Sequence, residues 1–168
     1  FKSKLSGLEL GTTYYVRAYA TNKKGTSHGE QKEFTTLDYP VLTTNDVSEI
    51  KLGTAVCGGE ITDDGGSNIT ARGVVWSRTE EPEMDDNELG HTANGEGKGK
   101  FVSQLTELSD NAEYYVRAYA TNALGTAYGE EKSFTTLTYP SVLTGKISEI
   151  TFESAVGGGD VKDDGGSD

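Results

Sequence analysis

Tyr115, Arg117 and Tyr119 alternate along one stretch of the chain, and Trp76 stands on a second run with the same alternation. In extended strands alternate residues share a face, so these side chains can be gathered on one surface. Rings flanking a guanidinium are the chemistry of a partner site: they stack on sugar rings or on another protein's cations and aromatics. The orientation of Trp76 decides the matter. If Ala71, Gly73 and Val75 point inward, Trp76 joins Tyr115 and Tyr119 as an outward aromatic face for a glycan. If Val74 and Trp76 point inward, the indole fills a core, Cys57 and Gly59 on a facing strand make room for it, and the tyrosines lie over small residues as cross-strand packing. The inward arrangement is the expected one, because a lone Trp in a layered β-domain is more often core than ligand site.

A second set of candidates is acidic. Asp63 and Asp64, with Asp85 and Asp86 in the run Glu80 to Glu88, carry the hard oxygen ligands that calcium takes. Neither set has the spacing of an EF-hand loop, so the expected reading is a turn and a solvated loop, with no cofactor and calcium as the alternative.

Catalysis has less to stand on. His91 is isolated, and His28 corresponds to Tyr128 in the repeat described below. Cys57 corresponds to Gly157, the mark of a small core position, and the carboxylates lie in loops without a pocket to separate their pKa values. The expectation is that the chain is not an enzyme.

Bulk properties narrow the partners. A formal net charge of -12 repels phosphate backbones and anionic lipid surfaces, which argues against nucleic acid and the membrane surface. No apolar run approaches the roughly 20 residues that span a bilayer, so direct membrane insertion is not expected. One cysteine excludes an internal disulfide. With 22 Gly, 9 Tyr and 1 Met, the composition favours short strands and tight turns over helices.

What must position these residues is repeated. Tyr14-Tyr15-Val16-Arg17-Ala18-Tyr19-Ala20-Thr21-Asn22 recurs unchanged from Tyr114 to Asn122, an offset of 114 − 14 = 100 residues. The same offset relates Phe34-Thr35-Thr36-Leu37 to Phe134-Thr135-Thr136-Leu137, and Asp63-Asp64-Gly65-Gly66-Ser67 to Asp163-Asp164-Gly165-Gly166-Ser167. Pro40 and Pro140 occupy matching places and mark junctions, since proline cannot donate to a central ladder. A complete unit is thus expected over 41–137. Residues 1–37 read as the last three strands of a preceding unit, and 141–168 as the first two of a following one.

Alternation and turn residues place strands within 41–50, from Thr54 to Thr62, from Ile69 to Arg78, near 91–95, from Lys100 to Leu105, from Glu113 to Thr121 and from about Ala127 to Thr136. Tyr114, Val116, Ala118 and Ala120 take the inner face, with Phe101, Ser103 and Leu105 opposite and Leu108 closing the core. Seven short strands in this order describe an all-β, two-sheet Greek-key sandwich of the immunoglobulin-like class, repeating every hundred residues.

The spacing of Leu108, Tyr114, Val116, Ala118, Ala120 and Asn122-x-x-Gly125, repeated from Leu8 through Tyr14 to Gly25, is similar to the fibronectin type III signature around its tyrosine corner. Thr70-Ala71-Arg72-Gly73-Val74-Val75-Trp76-Ser77 and the Gly-rich 95–99 stretch resemble the fibronectin-like repeats of large bacterial surface and secreted proteins. One departure is that type III domains usually carry a core Trp on the second strand, which here reads Ala55-Val56-Cys57-Gly58-Gly59. The resemblance implies an extracellular or cell-surface location and a structural or adhesive role as spacer or stalk, with a carbohydrate-binding module as the alternative. Its partners would be neighbouring repeats, a surface glycan or a protein. The two end segments, each with an open apolar face, are expected to fray or to complete one another head to tail between molecules.

Overall fold

The computed structural model describes residues 1–84 and 90–166, and among them there is no helix. Between residues 41 and 136 two sheets face each other. The first consists of β5 (Val41–Thr44), β6 (Ser48–Lys51), β7 (Thr54–Asp63) and β10 (Gly99–Leu105), with β7 in the middle; the expected opening strand is thus split in two. The second runs from β9 (Gly90–His91) through β8 (Ala71–Ser77) to β11 (Glu113–Thr121), whose far edge is shared by β12 (Thr126–Tyr128) and β13 (Lys132–Thr135). All these pairings are antiparallel, and β7 with β10 and β8 with β11 are neighbours that are not consecutive in the chain, as in a Greek key. The molecule is an all-β, immunoglobulin-like sandwich.

Side-chain parity builds the core. β11 turns Tyr114, Val116, Ala118 and Ala120 inward, and β10 turns Phe101, Ser103 and Leu105 inward against them; all are buried. Leu108 closes one end of the cluster, while Leu42, Ala55, Cys57 and Ile61 come from the first sheet. Each fully buried Val, Leu or Ile contributes about 1.5–3 kcal/mol relative to an exposed one.

The flanking segments repeat the strand pairings of the sandwich at corresponding residues. Before the sandwich lie β1 (Thr13–Val16), β2 (Tyr19–Asn22), β3 (Gly25–His28) and β4 (Lys32–Thr35). Tyr14 pairs with Phe34 and Tyr19 with His28, as Tyr114 pairs with Phe134 and Tyr119 with Tyr128. The aromatic stack is the same too, with centroids 5.8 Å apart in both copies. After the sandwich, β14 (Ser141–Thr144) pairs with β15 (Gly159–Asp163), and the ladder slips between Ser141 and Val142 as it does between Val41 and Leu42. Three strands were expected in the first segment and four short ones are found. In β11 the stretch from Tyr115 to Thr121 is held on its second side by β8; among the described residues β1 and β2 have no such neighbour, and the run breaks at Arg17-Ala18.

Candidate functional site

The expected partner face lies on β11 and its neighbours. The register sets Tyr115 opposite Ser77, Arg117 opposite Val75 and Tyr119 opposite Gly73, all on the outer side of the second sheet. Val116 pairs with Trp76, which therefore shares the inward parity of the core. The indole is 8% exposed and belongs to the core cluster, so Trp76 and Tyr119 point to opposite faces and cannot form one aromatic platform. Cys57 shares the core cluster with the indole as expected, but Gly59 does not make its room. A Cβ on Gly90, the cross-strand partner of Trp76, would stand 2.1 Å from the ring, whereas a Cβ on Gly59 would meet Thr43 O at 2.6 Å and Ala118 at 2.7 Å. The indole lies along its own sheet over Gly90, and Gly59 instead lets the two sheets approach.

The outer side is also less open than expected. Tyr119 is 3% exposed; its ring crosses Gly73 and its hydroxyl donates to Thr92 O at 2.8 Å. Burial, and then the nearby Tyr128, raise its pKa above the usual phenol value. Arg117 donates from Nε to Gly129 O at 3.2 Å, holds its guanidinium 4.8 Å from the Tyr128 ring centroid and reaches Glu83 at 3.8 Å. Tyr115 is half-buried, and lost hydration, followed by Glu113, Glu80 and Glu131, raises its pKa.

Part of the cover comes from the acidic loop, whose described residues are exposed as expected apart from Pro82. Met84 N donates to the Tyr128 hydroxyl at 2.9 Å, Glu81 N donates to the Glu131 carboxylate, and Pro82 between them is fully buried. The loop's backbone donors find partners on β12 and in the turn between β12 and β13 that its charge hides from a composition argument.

Of the calcium candidates, Asp85 and Asp86 lie outside the described residues. Asp63 and Asp64 cap their own turn: their Oδ1 atoms accept from Gly65 N at 2.7 Å and Gly66 N at 3.0 Å, and Asp163 and Asp164 do the same at 2.8 Å each. Lys98, 3.2 Å from Asp64, and then the Gly66 amide hold the Asp64 carboxyl below its ordinary pKa. These carboxylates are occupied by backbone donors and an ammonium group, and among the described residues no three His, Cys, Asp or Glu side chains converge as a metal site.

Cys57 is 3% exposed, and its thiol donates to Asn45 O at 3.4 Å. Burial, its largest influence, raises the thiol pKa, which lowers the reactive thiolate fraction. The expected result is that iodoacetamide leaves the folded chain unmodified at neutral pH and labels Cys57 stoichiometrically in denaturant. Rapid labelling without denaturant, read by mass spectrometry, would contradict the buried placement.

Two polar groups outside the expected set organise this region. Arg72 donates to Asn94 O at 3.2 Å, Gly97 O at 3.0 Å and Lys98 O at 3.1 Å, fastening the Gly-rich loop. Asn122 is 5% exposed and satisfies four hydrogen bonds at one end of the sandwich. Its signal was in the sequence, as the recurring polar residue that ends an otherwise buried strand.

Neither a protein-family model nor a curated protein matches the chain. Among solved structures, it is similar to the sensor domain of the anti-sigma factor RsgI4 in Pseudobacteroides cellulosolvens, at 14% identity over 62% of this chain and 100% of that one, with a TM-score of 0.44. A structure described as a myokine is 18% identical over 60% of this chain and 98% of that one, with a TM-score of 0.41. Domains of titin are 20% identical over 77% of this chain and 43% of that one, with a TM-score of 0.44.

Proposed function

We propose that this chain is a non-enzymatic structural segment of a tandem array of sandwich units, serving as a spacer or stalk in an extracellular surface protein. The observation that carries this reading is the recurrence of whole contact sets at residues a hundred apart. Arg17 donates to Gly29 O and Arg117 to Gly129 O, both at 3.2 Å; Tyr14 accepts from Glu9 N and Tyr114 from Ser109 N, both at 2.9 Å. A binding site needs a distinctive surface, whereas a spacer needs the same unit again and again. The residues that repeat here are those that build the fold and join one unit to the next.

The carbohydrate-binding alternative loses its principal rings, because Trp76 lies in the core and Tyr119 is sealed beneath Thr92. The test is a glycan array together with tryptophan emission. The expected outcome is a blue-shifted emission that soluble glycans leave unchanged, and no glycan retained. A retained glycan whose binding is lost in Tyr115→Ala would overturn the spacer reading in favour of recognition.

A further inference from the structure

Leu37, Asp38, Tyr39 and Pro40 connect the first segment to the sandwich, and every one of them is engaged at the junction. On the preceding side, Gly11 N donates to Leu37 O at 3.1 Å. On the following side, Asp38 N donates to Gly65 O at 2.8 Å, and Asn122 Nδ2 donates to Asp38 O at 2.8 Å and Asp64 O at 2.9 Å. Asn122 Oδ1 meanwhile accepts from Leu124 N at 2.8 Å and Gly125 N at 3.3 Å, so this buried amide has both donors and both acceptor positions in use. The Tyr39 ring lies against Gly125, Leu37 reaches Gly66, and Pro40 is buried.

The turn is shaped for close approach. Gly65 and Gly66 both take left-handed φ, +67° and +78°, and a Cβ on Gly65 would stand 2.0 Å from Asp38 O. The second junction is made the same way. Thr138 N donates to Gly165 O at 3.0 Å, a Cβ on Gly165 would stand 2.1 Å from Thr138 O, and Leu137 reaches Gly166 as Leu37 reaches Gly66.

We infer that the Asp63–Gly66 turn and Asn122 form a socket on one end of the sandwich that receives the Leu-x-Tyr-Pro connecting peptide of the unit before it, and that this socket fixes the angle between consecutive units. Domains joined by a short peptide move relative to one another unless their junction is bonded or apolar. Here the connecting peptide is bonded through its backbone, so position 38 tolerates Asp at one junction and Thr at the next while the amide bond to the turn glycine is kept. Releasing the peptide would also leave one of the two Asn122 amide hydrogens, the one donated to Asp38 O, without its partner in a site with little access to water. An array built this way transmits orientation from unit to unit as a stiff rod. The inference rests on the array reading of the chain.

The test is amide hydrogen exchange measured by NMR on the whole chain, comparing Gly65→Ala with Gly66→Ala. Both substitutions place alanine at positive φ in the same turn, but only the first drives a methyl into the connecting peptide; a Cβ on Gly66 makes an ordinary 3.5 Å contact with Leu37. In Gly65→Ala the Asp38 amide is expected to exchange about tenfold faster or more, as a lost hydrogen bond and local opening allow, while Thr138 and the β8 amides keep their protection. Gly66→Ala is expected to leave Asp38 within about threefold of the unsubstituted chain. If Gly65→Ala also loosens β8, Asn122→Asp replaces it, since it keeps the acceptor and removes the two donated bonds; Asp38 is again expected to lose protection. An Asp38 amide that exchanges at the free-peptide rate in the unsubstituted chain, or that keeps its protection in these variants, overturns the socket. Glycan recognition, the failure mode of the spacer reading, would leave the Asp38 amide untouched, so the two outcomes are distinguishable.

Discussion

Replacing Trp76 by alanine is expected to lower the unfolding free energy of the sandwich by about 3–5 kcal/mol, the range for deleting a buried large aromatic side chain. That is a large share of the roughly 5–15 kcal/mol that holds a domain together, so the variant should be partly unfolded at room temperature or melt far below the parent. The reason is local geometry. The indole sits in the core cluster and lies over Gly90, a residue with no side chain to move into the space left behind. Its cross-strand neighbour Val116 is itself fully buried, and β8 is pinned between β9 and β11, so the cavity cannot collapse cheaply. Urea unfolding followed by far-ultraviolet circular dichroism measures the effect. A loss under about 1 kcal/mol, the range of exposed-site substitutions, would place the indole at the surface and reopen the aromatic glycan face.

Much of this arrangement could be read from residue order alone, and the parts that could not have physical reasons. The parity of Tyr114, Val116, Ala118 and Ala120 follows from Arg117 being unaffordable inside a core, and burial of all four in the structure agrees. The two-sheet architecture follows from the number and spacing of short alternating runs. Outer-face burial was harder to see, because it depends on a loop folding back. Nothing in a run of glutamates and aspartates announces that Pro82 will be covered or that Met84 N will reach Tyr128. Alternation also cannot say which glycine faces which ring: that depends on strand pairing, and it is Gly90, the cross-strand partner of Trp76, that makes room for the indole. The splitting of the expected first and last strands reflects β5 and β6 both pairing with β7, and β12 and β13 both pairing with β11, a register effect invisible to periodicity. Arg72 shares the inward parity of Val74 and Trp76 at the end of β8, where its guanidinium lies 5.5 Å from the Phe101 ring centroid and the carbonyls of the Gly-rich loop lie close enough to take its donors.

Phe134→Ala and Phe34→Ala, the same substitution at positions a hundred residues apart, are expected to have very different effects. Each ring stacks on a tyrosine with centroids 5.8 Å apart, at interplanar angles of 23° and 25°, and each tyrosine accepts an amide hydrogen bond of 2.9 Å. What differs is the second layer. Phe134 is 7% exposed within a cluster that includes Leu42, Ala55 and Ile61 from the first sheet, whereas Phe34 is half-buried on a two-stranded ribbon whose Val16 is 36% exposed. Truncating Phe134 therefore removes a ring surrounded on both sides and should cost about 3–5 kcal/mol. Truncating Phe34 removes a ring that water already reaches and should cost the sandwich less than about 1 kcal/mol. Because the stacked pair is common to both sites, the difference between the two measurements isolates what the opposing sheet contributes. Denaturant unfolding of the sandwich transition, read with the Trp76 emission that reports on its core, gives that difference directly. Equal losses at the two positions would mean that the aromatic pair, not the closure of one sheet over the other, carries the stability of the unit, and the two-layer account of the fold's energetics would have to be abandoned.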